Sequence, residues 1–295
     1  MTVQTAPVTA DTFKGQVDPD WCPGCGDFGV LKSLMGACAE LKIAPHDLMV
    51  VSGIGCSSNL PGFIHSYGVH SLHGRSVAVA SGIKLANQDL NVVITGGDGD
   101  GFGIGVGHFI HAMRRNLDVT YIVMDNQVYG LTTGQVSPTS EKGMVTKTSP
   151  KGNAEWPVNP IAMALISGAT YVARGFSGEP KQLTEILRRG IAHKGFSFID
   201  VFSPCVTYNK QNTYPWFKSN IYNLEEKGHD ASKLDAALAR SLEWGEKKIP
   251  IGVFYETTAR RTYQEEDPVF AVGSLVKQPL GVTPELGRKL IAETM

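Results

Sequence analysis

The sequence predicts an α/β fold, a parallel sheet with helices on both faces. Three observations carry this. Short apolar, β-branched runs alternate with segments of helical period along most of the chain, and strands that read as continuous apolar runs belong to sheets covered on both sides. Glycine is in excess, 33 of 295 residues, against an ordinary share of roughly 7%. That excess gathers at 53–62 and 96–107, directly after two of the strand runs, where sheets of this kind bind ligands beyond their strand ends.

The first helix is expected over 28–41, behind the turn Trp21-Cys22-Pro23-Gly24-Cys25-Gly26. A strand follows at 48–52 (LMVVS), then a helix at 77–87 and a strand at 92–95. The second glycine-rich run leads into a helix over 105–115, and a strand of almost wholly apolar character covers 119–124. Residues 135–157, rich in Ser, Thr, Lys, Gly and Pro, read as a long loop. Helices at 160–167 and 180–193 then alternate with strands at 170–173 and 198–202. Beyond Cys205 the pattern weakens to one clear helix (233–244) and one strand (251–255). Length allows equally two domains or one large α/β domain with an extension. We read residues 1–205 as that domain and 206–295 as an extension that packs on a partner.

Composition excludes several classes. Hydrophobic residues make up 42% and charged residues 19%, with a formal net charge of −1 and no basic face, so nothing marks a nucleic-acid footprint. Met1 to Thr12 carries neither early positive charge nor a continuous apolar block, unlike a signal peptide. The most apolar window, 161–173, is interrupted by Ser167, Gly168 and Thr170 and is too short to span a bilayer. The expectation is a soluble, cytoplasmic protein without a membrane partner. Five cysteines, two of them in a Cys-x-x-Cys pair, favour a metal or redox site over structural disulfides.

The strongest local motif is Gly97-Asp98-Gly99-Asp100-Gly101, after a strand, with Asn126 placed 28 residues after Asp98 at the end of the next strand. A hard divalent ion bridging a diphosphate takes oxygen ligands: a carboxylate, neutral oxygens and the phosphates. Asp98 can supply the carboxylate, Asn126 an amide oxygen and Val128 a backbone carbonyl. The glycines admit backbone N–H groups to phosphate oxygens, and the helix start at 103–105 adds its positive end. The plain alternative is a glycine-rich turn with Asp98 and Asp100 as caps.

Four cysteines, Cys22, Cys25, Cys56 and Cys205, fall at element boundaries, whereas Cys38 sits inside a helix between alanines and reads as a small core residue. Four thiolates suit structural zinc or an iron–sulfur cluster, and spacing alone does not decide between them.

Together these motifs resemble the β subunits of 2-oxoacid:ferredoxin oxidoreductases. The matching segments are 21–29 (WCPGCGDFG), 53–57 (GIGCS), 70–75 (HSLHGR), 96–100 (GGDGD), 125–135 (DNQVYGLTTGQ) and 200–208 (DVFSPCVTY). The resemblance implies a thiamine-diphosphate-binding fold with a C-terminal extension. It implies a 4Fe–4S cluster on Cys22, Cys25, Cys56 and Cys205, and Mg²⁺ on Asp98, Asn126 and Val128. Thiamine diphosphate would contact Ile54, Gly55, Cys56, Ser57, His73, Gly99, Asp100, Gly130 and Leu131. For His73 a capping or core role is the alternative. No residue here reads as the carboxylate that meets the aminopyrimidine ring. The resemblance implies that an α subunit supplies it, in a heterodimer or a dimer of heterodimers.

The implied activity is oxidative decarboxylation of a 2-oxoacid to its acyl-CoA, with electrons passed to ferredoxin and the reverse carboxylation also open. The substrate favoured is 2-oxoglutarate, with pyruvate or a broad range as alternatives. Asn59 and Thr133 fall in loops that face the substrate or are plain loop residues. Two rival readings remain: a non-redox thiamine decarboxylase or carboligase, and a zinc-stabilised assembly subunit.

Overall fold

The computed structural model describes residues 7–246, 248–279 and 281–294. The first six residues of the stretch compared with a signal peptide lie outside them. Strands are β1 (Leu48–Ser52), β2 (Tyr67–His70), β3 (Asn91–Gly97), β4 (Val119–Asp125), β5 (Val128–Tyr129), β6 (Gln135–Val136), β7 (Tyr171–Phe176), β8 (Phe196–Phe202), β9 (Ile221–Asn223) and β10 (Ile249–Glu256). Helices are α1 (Asp27–Glu40), α2 (Ser76–Ala86), α3 (Val106–Arg115), α4 (Pro160–Ser167), α5 (Pro180–Ala192), α6 (Tyr214–Asn220), α7 (Leu234–Ser241), α8 (Tyr263–Glu266) and α9 (Pro284–Thr294).

Eight strands form one sheet in the order β2-β1-β3-β4-β8-β7-β10-β9, while β5 and β6 pair as a small hairpin. From β2 to β7 every pairing is parallel. The alternation of side chains along each strand explains why the apolar runs are continuous. On β4, Ile122 and Met124 face a core shared with α1 and α5. Val119, Tyr121 and Val123 face the opposite core, shared with α2, α3, α4 and α7. Helix starts follow local chemistry: the Asn159 side chain accepts from the Ala162 amide at 3.0 Å, and Pro160 opens α4 where no donor is needed.

The expected parallel sheet needs one correction. β10 runs antiparallel to β7, with β9 beside it. The reason lies in α6, which packs at the end where β7 and β8 finish: Phe217 stacks on Phe202 at 4.4 Å and contacts Phe176 at 5.6 Å. Chain that resumes there must run back through the sheet. Residues 221–223 and 249–256 of the expected extension therefore lie in the sheet itself, and Phe217 is buried in this chain's own core. The helix expected to reach 244 ends at Ser241 because Trp244 turns in against Phe202 and Trp216. Among the described residues no helix is long and apolar enough to cross a membrane.

Candidate functional site

Five adjacent parallel strands, β2, β1, β3, β4 and β8, end on the same side of the sheet. The chain turns from β1 to one neighbour, β2, and then to the other, β3, so a crevice opens between them, the usual place for a ligand. After β1 come Ile54, Gly55, Cys56 and Ser57; after β2, His73; after β3, Asp98, Gly99 and Asp100; after β4, Asn126, Val128, Gly130 and Leu131. All twelve residues expected to hold diphosphate, thiamine or magnesium line one cavity of about 90 Å³, together with Gly97, Tyr129 and Thr132.

Asp98 is almost fully buried. The Thr139 hydroxyl lies 2.6 Å from Asp98 Oδ2 and 2.8 Å from Asp125 Oδ1. A hydroxyl has one proton, so the Thr139 hydroxyl is shared between the two carboxyl groups, with the Ser137 hydroxyl at 3.3 Å beside it. Burial pushes Asp98 up to about 6. It pushes Asp125 well above the carboxylate range, reinforced by the charges of Asp98 and Asp200. The Asn126 amide oxygen accepts from the Val128 amide at 3.1 Å and keeps a second lone pair for another bond. Its backbone carbonyl accepts from Asn209 at 3.1 Å.

Asp100 ties the loops together. Its Oδ1 accepts from the Ile54 amide at 2.9 Å and the Gly74 amide at 2.7 Å, and lies 3.3 Å from His73 Nδ1. Gly53 is required here, because a Cβ at that position would collide with the Asp100 carboxyl. The expected helix start at 103–105 is preceded by a wide π-type turn over Gly99–Ile104, kinked at Gly103. Coiling begins immediately after Asp98, and Gly99 and Asp100 at its start line the cavity. These residues fit a magnesium diphosphate: a buried carboxylate, a free amide lone pair and a glycine-rich turn, all on one cavity.

A second cavity, of about 230 Å³, is lined by Cys22, Cys25, Cys56 and Cys205 and shares Cys56, Asn126, Gly130 and Leu131 with the first. It could hold several waters, each occupying about 30 Å³, and so admits a multi-atom group. The Cys25 amide donates to the Cys22 carbonyl at 2.9 Å, closing a turn, and the Gly26 amide donates to Pro204 at 3.2 Å. Trp21 Nε1 donates to the Cys56 carbonyl at 2.7 Å and clamps the third loop. The Cys56 and Cys205 sulfurs stand 3.6 and 3.8 Å from where a Gly130 side chain would begin.

Burial pushes Cys56 up to about 11, with the charges of Asp27, Cys205 and Cys22 adding to it. Burial and the charge of Asp27 push Cys25 further still. Thiols that resist ionising and repel one another fit a centre of positive charge, which would reverse both effects. Among the described residues no set of three or more His, Cys, Asp or Glu side chains stands ready to hold a metal ion. Cys38 is fully buried in the core of α1.

Asn59 lines the thiol cavity, while Thr133 lines neither cavity and is held at positive φ. Thr139, Asp125 and Asp27 are not among the residues expected from the motifs. Thr139 sits in a loop without periodicity and carries no sequence signal. Tyr129, whose hydroxyl donates to Gly99 at 3.2 Å, lies inside the DNQVYG segment and is legible there.

Residues 53–201 match the family described as thiamine pyrophosphate enzyme, C-terminal TPP binding domain. Residues 205–271 match the family described as the C-terminal part of the pyruvate ferredoxin oxidoreductase beta chain. The chain is 49% identical to 2-oxoacid:ferredoxin oxidoreductase 1, subunit beta, of Aeropyrum pernix, over 86% of this chain and 83% of that one. It is 47% identical to the 2-oxoglutarate synthase subunit KorB of Methanocaldococcus jannaschii, over 64% and 70%. Its structure is similar, with a TM-score of 0.88 and 41% identity, to a chain of the 2-oxoglutarate:ferredoxin oxidoreductase from Magnetococcus marinus with 2-oxoglutarate, coenzyme A and succinyl-CoA bound. That likeness covers 99% of this chain and 98% of the other.

Proposed function

The chain belongs to the β subunits of the 2-oxoacid:ferredoxin oxidoreductases, and from that membership we propose how its residues divide the work. Asp98, Asn126 and the Val128 carbonyl hold Mg²⁺, and the turn from Gly99 receives the diphosphate of thiamine diphosphate. Ile54, Gly55, Cys56, Ser57, His73, Asp100, Gly130 and Leu131 line the remainder of that cofactor's site. Cys22, Cys25, Cys56 and Cys205 hold a 4Fe–4S cluster. With its α subunit, the enzyme converts 2-oxoglutarate and coenzyme A to succinyl-CoA and CO₂, reducing ferredoxin.

One observation carries this reading: the cavity with the magnesium ligands and the cavity with the four cysteines share a wall formed by Cys56, Asn126, Gly130 and Leu131. Bound thiamine diphosphate supplies the electron sink for breaking a bond at the 2-oxo carbon. Cys56 belongs to both cavities, so the path to the cluster is as short as the chain can make it. Thr139 and Asp125 keep Asp98 oriented, and Asp100 fixes the loops that carry Ile54 and His73.

The preference for 2-oxoglutarate rests on the relatives named for that substrate. A broader 2-oxoacid range is the second reading, favoured by the more similar Aeropyrum protein, whose name specifies no single acid. Anaerobic co-purification with the α subunit, then viologen reduction with a panel of 2-oxoacids and coenzyme A, separates them. The first reading expects 2-oxoglutarate to give a kcat/KM well above that for pyruvate. Equal values would overturn it in favour of the second, and turnover without an electron acceptor would overturn both.

A further inference from the structure

We propose that Asn126 serves both cavities at once: its amide oxygen faces the magnesium, and its amide nitrogen donates a hydrogen bond to a sulfur of the cluster, which raises the cluster's reduction potential. The inference rests on the metal and cluster sites proposed above and adds a task that neither gives to this side chain.

Three observations carry it. Asn126 lines both cavities and is only partly buried, and its Nδ2 is not among the polar atoms sealed away without a partner. The two ends of its amide are told apart by a bond: the Val128 amide donates to Oδ1 at 3.1 Å. The oxygen is therefore the end held in the turn, and the nitrogen is the other. That nitrogen stands among the cluster thiols. A Cβ added at Gly130 would lie 3.7 Å from Asn126 Nδ2, 3.6 Å from Cys56 Sγ and 3.8 Å from Cys205 Sγ. One point in space touches all three atoms, and Gly130 places no side chain there.

Nearby donors are committed elsewhere. Trp21 Nε1 goes to the Cys56 carbonyl, and Asn209 Nδ2 goes to the Asn126 carbonyl. Among the described residues Asn126 Nδ2 meets no acceptor, and an amide has two N–H groups to give. A hard cation on the oxygen leaves both of them free. Held by Val128 at its side chain and by Asn209 at its backbone, the amide has its direction set in advance. Reduction adds negative charge to an iron–sulfur cluster, and an N–H aimed at its sulfur favours the reduced form.

The test uses the complex co-purified anaerobically with the α subunit, carrying asparagine labelled with ¹⁵N in its side chain and freed of magnesium by chelation. Pulsed EPR of the dithionite-reduced cluster should show a ¹⁵N coupling. The coupling should persist in Asn59→Ala, which removes the other asparagine lining the thiol cavity. It should vanish in Asn126→Ala, where the reduction potential should also fall; both residues being neutral, no change of charge enters. If Asn126→Ala does not fold, the wild-type signal and its survival in Asn59→Ala still decide the matter. Iron analysis of the same preparation separates the two levels. A wild type without iron would overturn the cluster assignment and the proposal with it. With iron present, no ¹⁵N coupling, a coupling lost in Asn59→Ala, or an unchanged potential in Asn126→Ala would each overturn the proposal alone.

Discussion

Asp98 shows how much a single side chain can be made to carry. It is shut away from water beside a second carboxyl, and burial pushes its own ionisation up to about 6. A metal ligand must be ionised, so below that pH a proton competes with the ion and above it the competition ends. Apparent magnesium affinity should therefore be level above about pH 6 and fall about tenfold per unit below it. Calorimetric titration of thiamine diphosphate with and without magnesium across that range checks the slope. At one neutral pH, Asp98→Ala and Asn126→Ala should each abolish the magnesium-dependent part of binding while the iron content stays unchanged; equal affinity in both variants would mean that the ligands lie elsewhere. The cysteines divide the same way. Serine at Cys22, Cys25, Cys56 or Cys205 should lower iron and sulfide from about four per chain, the stoichiometry of one cluster. Cys38→Ser should keep both and lose about 1–3 kcal/mol of stability to a buried hydroxyl, read as a shifted denaturant midpoint.

At the scale of elements, the contact between the start of α1 and the chain leaving β8 matters most, because it brings the Cys-x-x-Cys loop to Cys205. Gly26 is where the two meet: a Cβ there would stand 2.6 Å from the Ser203 Cα. Gly26→Ala should push α1 away from the end of β8, separating Cys25 from Cys205, so the cluster should be lost before the fold is; circular dichroism and iron analysis on one preparation would show it. Normal iron in that variant would mean that the contact is slack. Which elements are legible follows from similar physics. β1, β3, β4 and β8 are buried along nearly their whole length, so their runs are largely apolar and easily read. The expected 170–173 strand stops short because Arg174 breaks its run, yet β7 continues through it, the charge being met by Asp200. β2 gives no signal as four largely exposed residues on an edge, nor does α6 as a single short helix opening on Tyr214-Pro215. The direction of β10 is not readable at all, since it is set by how α6 and β9 pack at the far end rather than by any periodicity.

At the scale of the whole molecule, the cofactor cavity is complete on one side only. Its motifs are legible because each follows a strand end; on the proposed function, the carboxylate that would complete it belongs to the α subunit and so is not written in this sequence. The acids lining the cavity are Asp98 and Asp100. The first faces Thr139, and the second has its Oδ1 engaged by two backbone amides, so neither is placed to meet the far, aminopyrimidine end of thiamine. Positioned acid–base help of that kind typically contributes about 10²–10⁴-fold. The surface around it is also unusual: Ile54 and Leu131, which line the cavity, are exposed, as are Leu72 beside His73 and Ile104 against the Gly74 turn, Leu72 at 72%. Apolar rims of this kind mark a surface that another protein covers. The isolated chain, supplied with thiamine diphosphate, magnesium, coenzyme A, 2-oxoglutarate and a viologen dye, should therefore show no turnover above background. Adding the α subunit should restore it, and Leu72→Lys or Ile104→Lys should weaken that restoration in proportion to lost association, measured by analytical ultracentrifugation. Full turnover by the chain alone would require an acid–base group within its own cavity beyond the two aspartates already engaged.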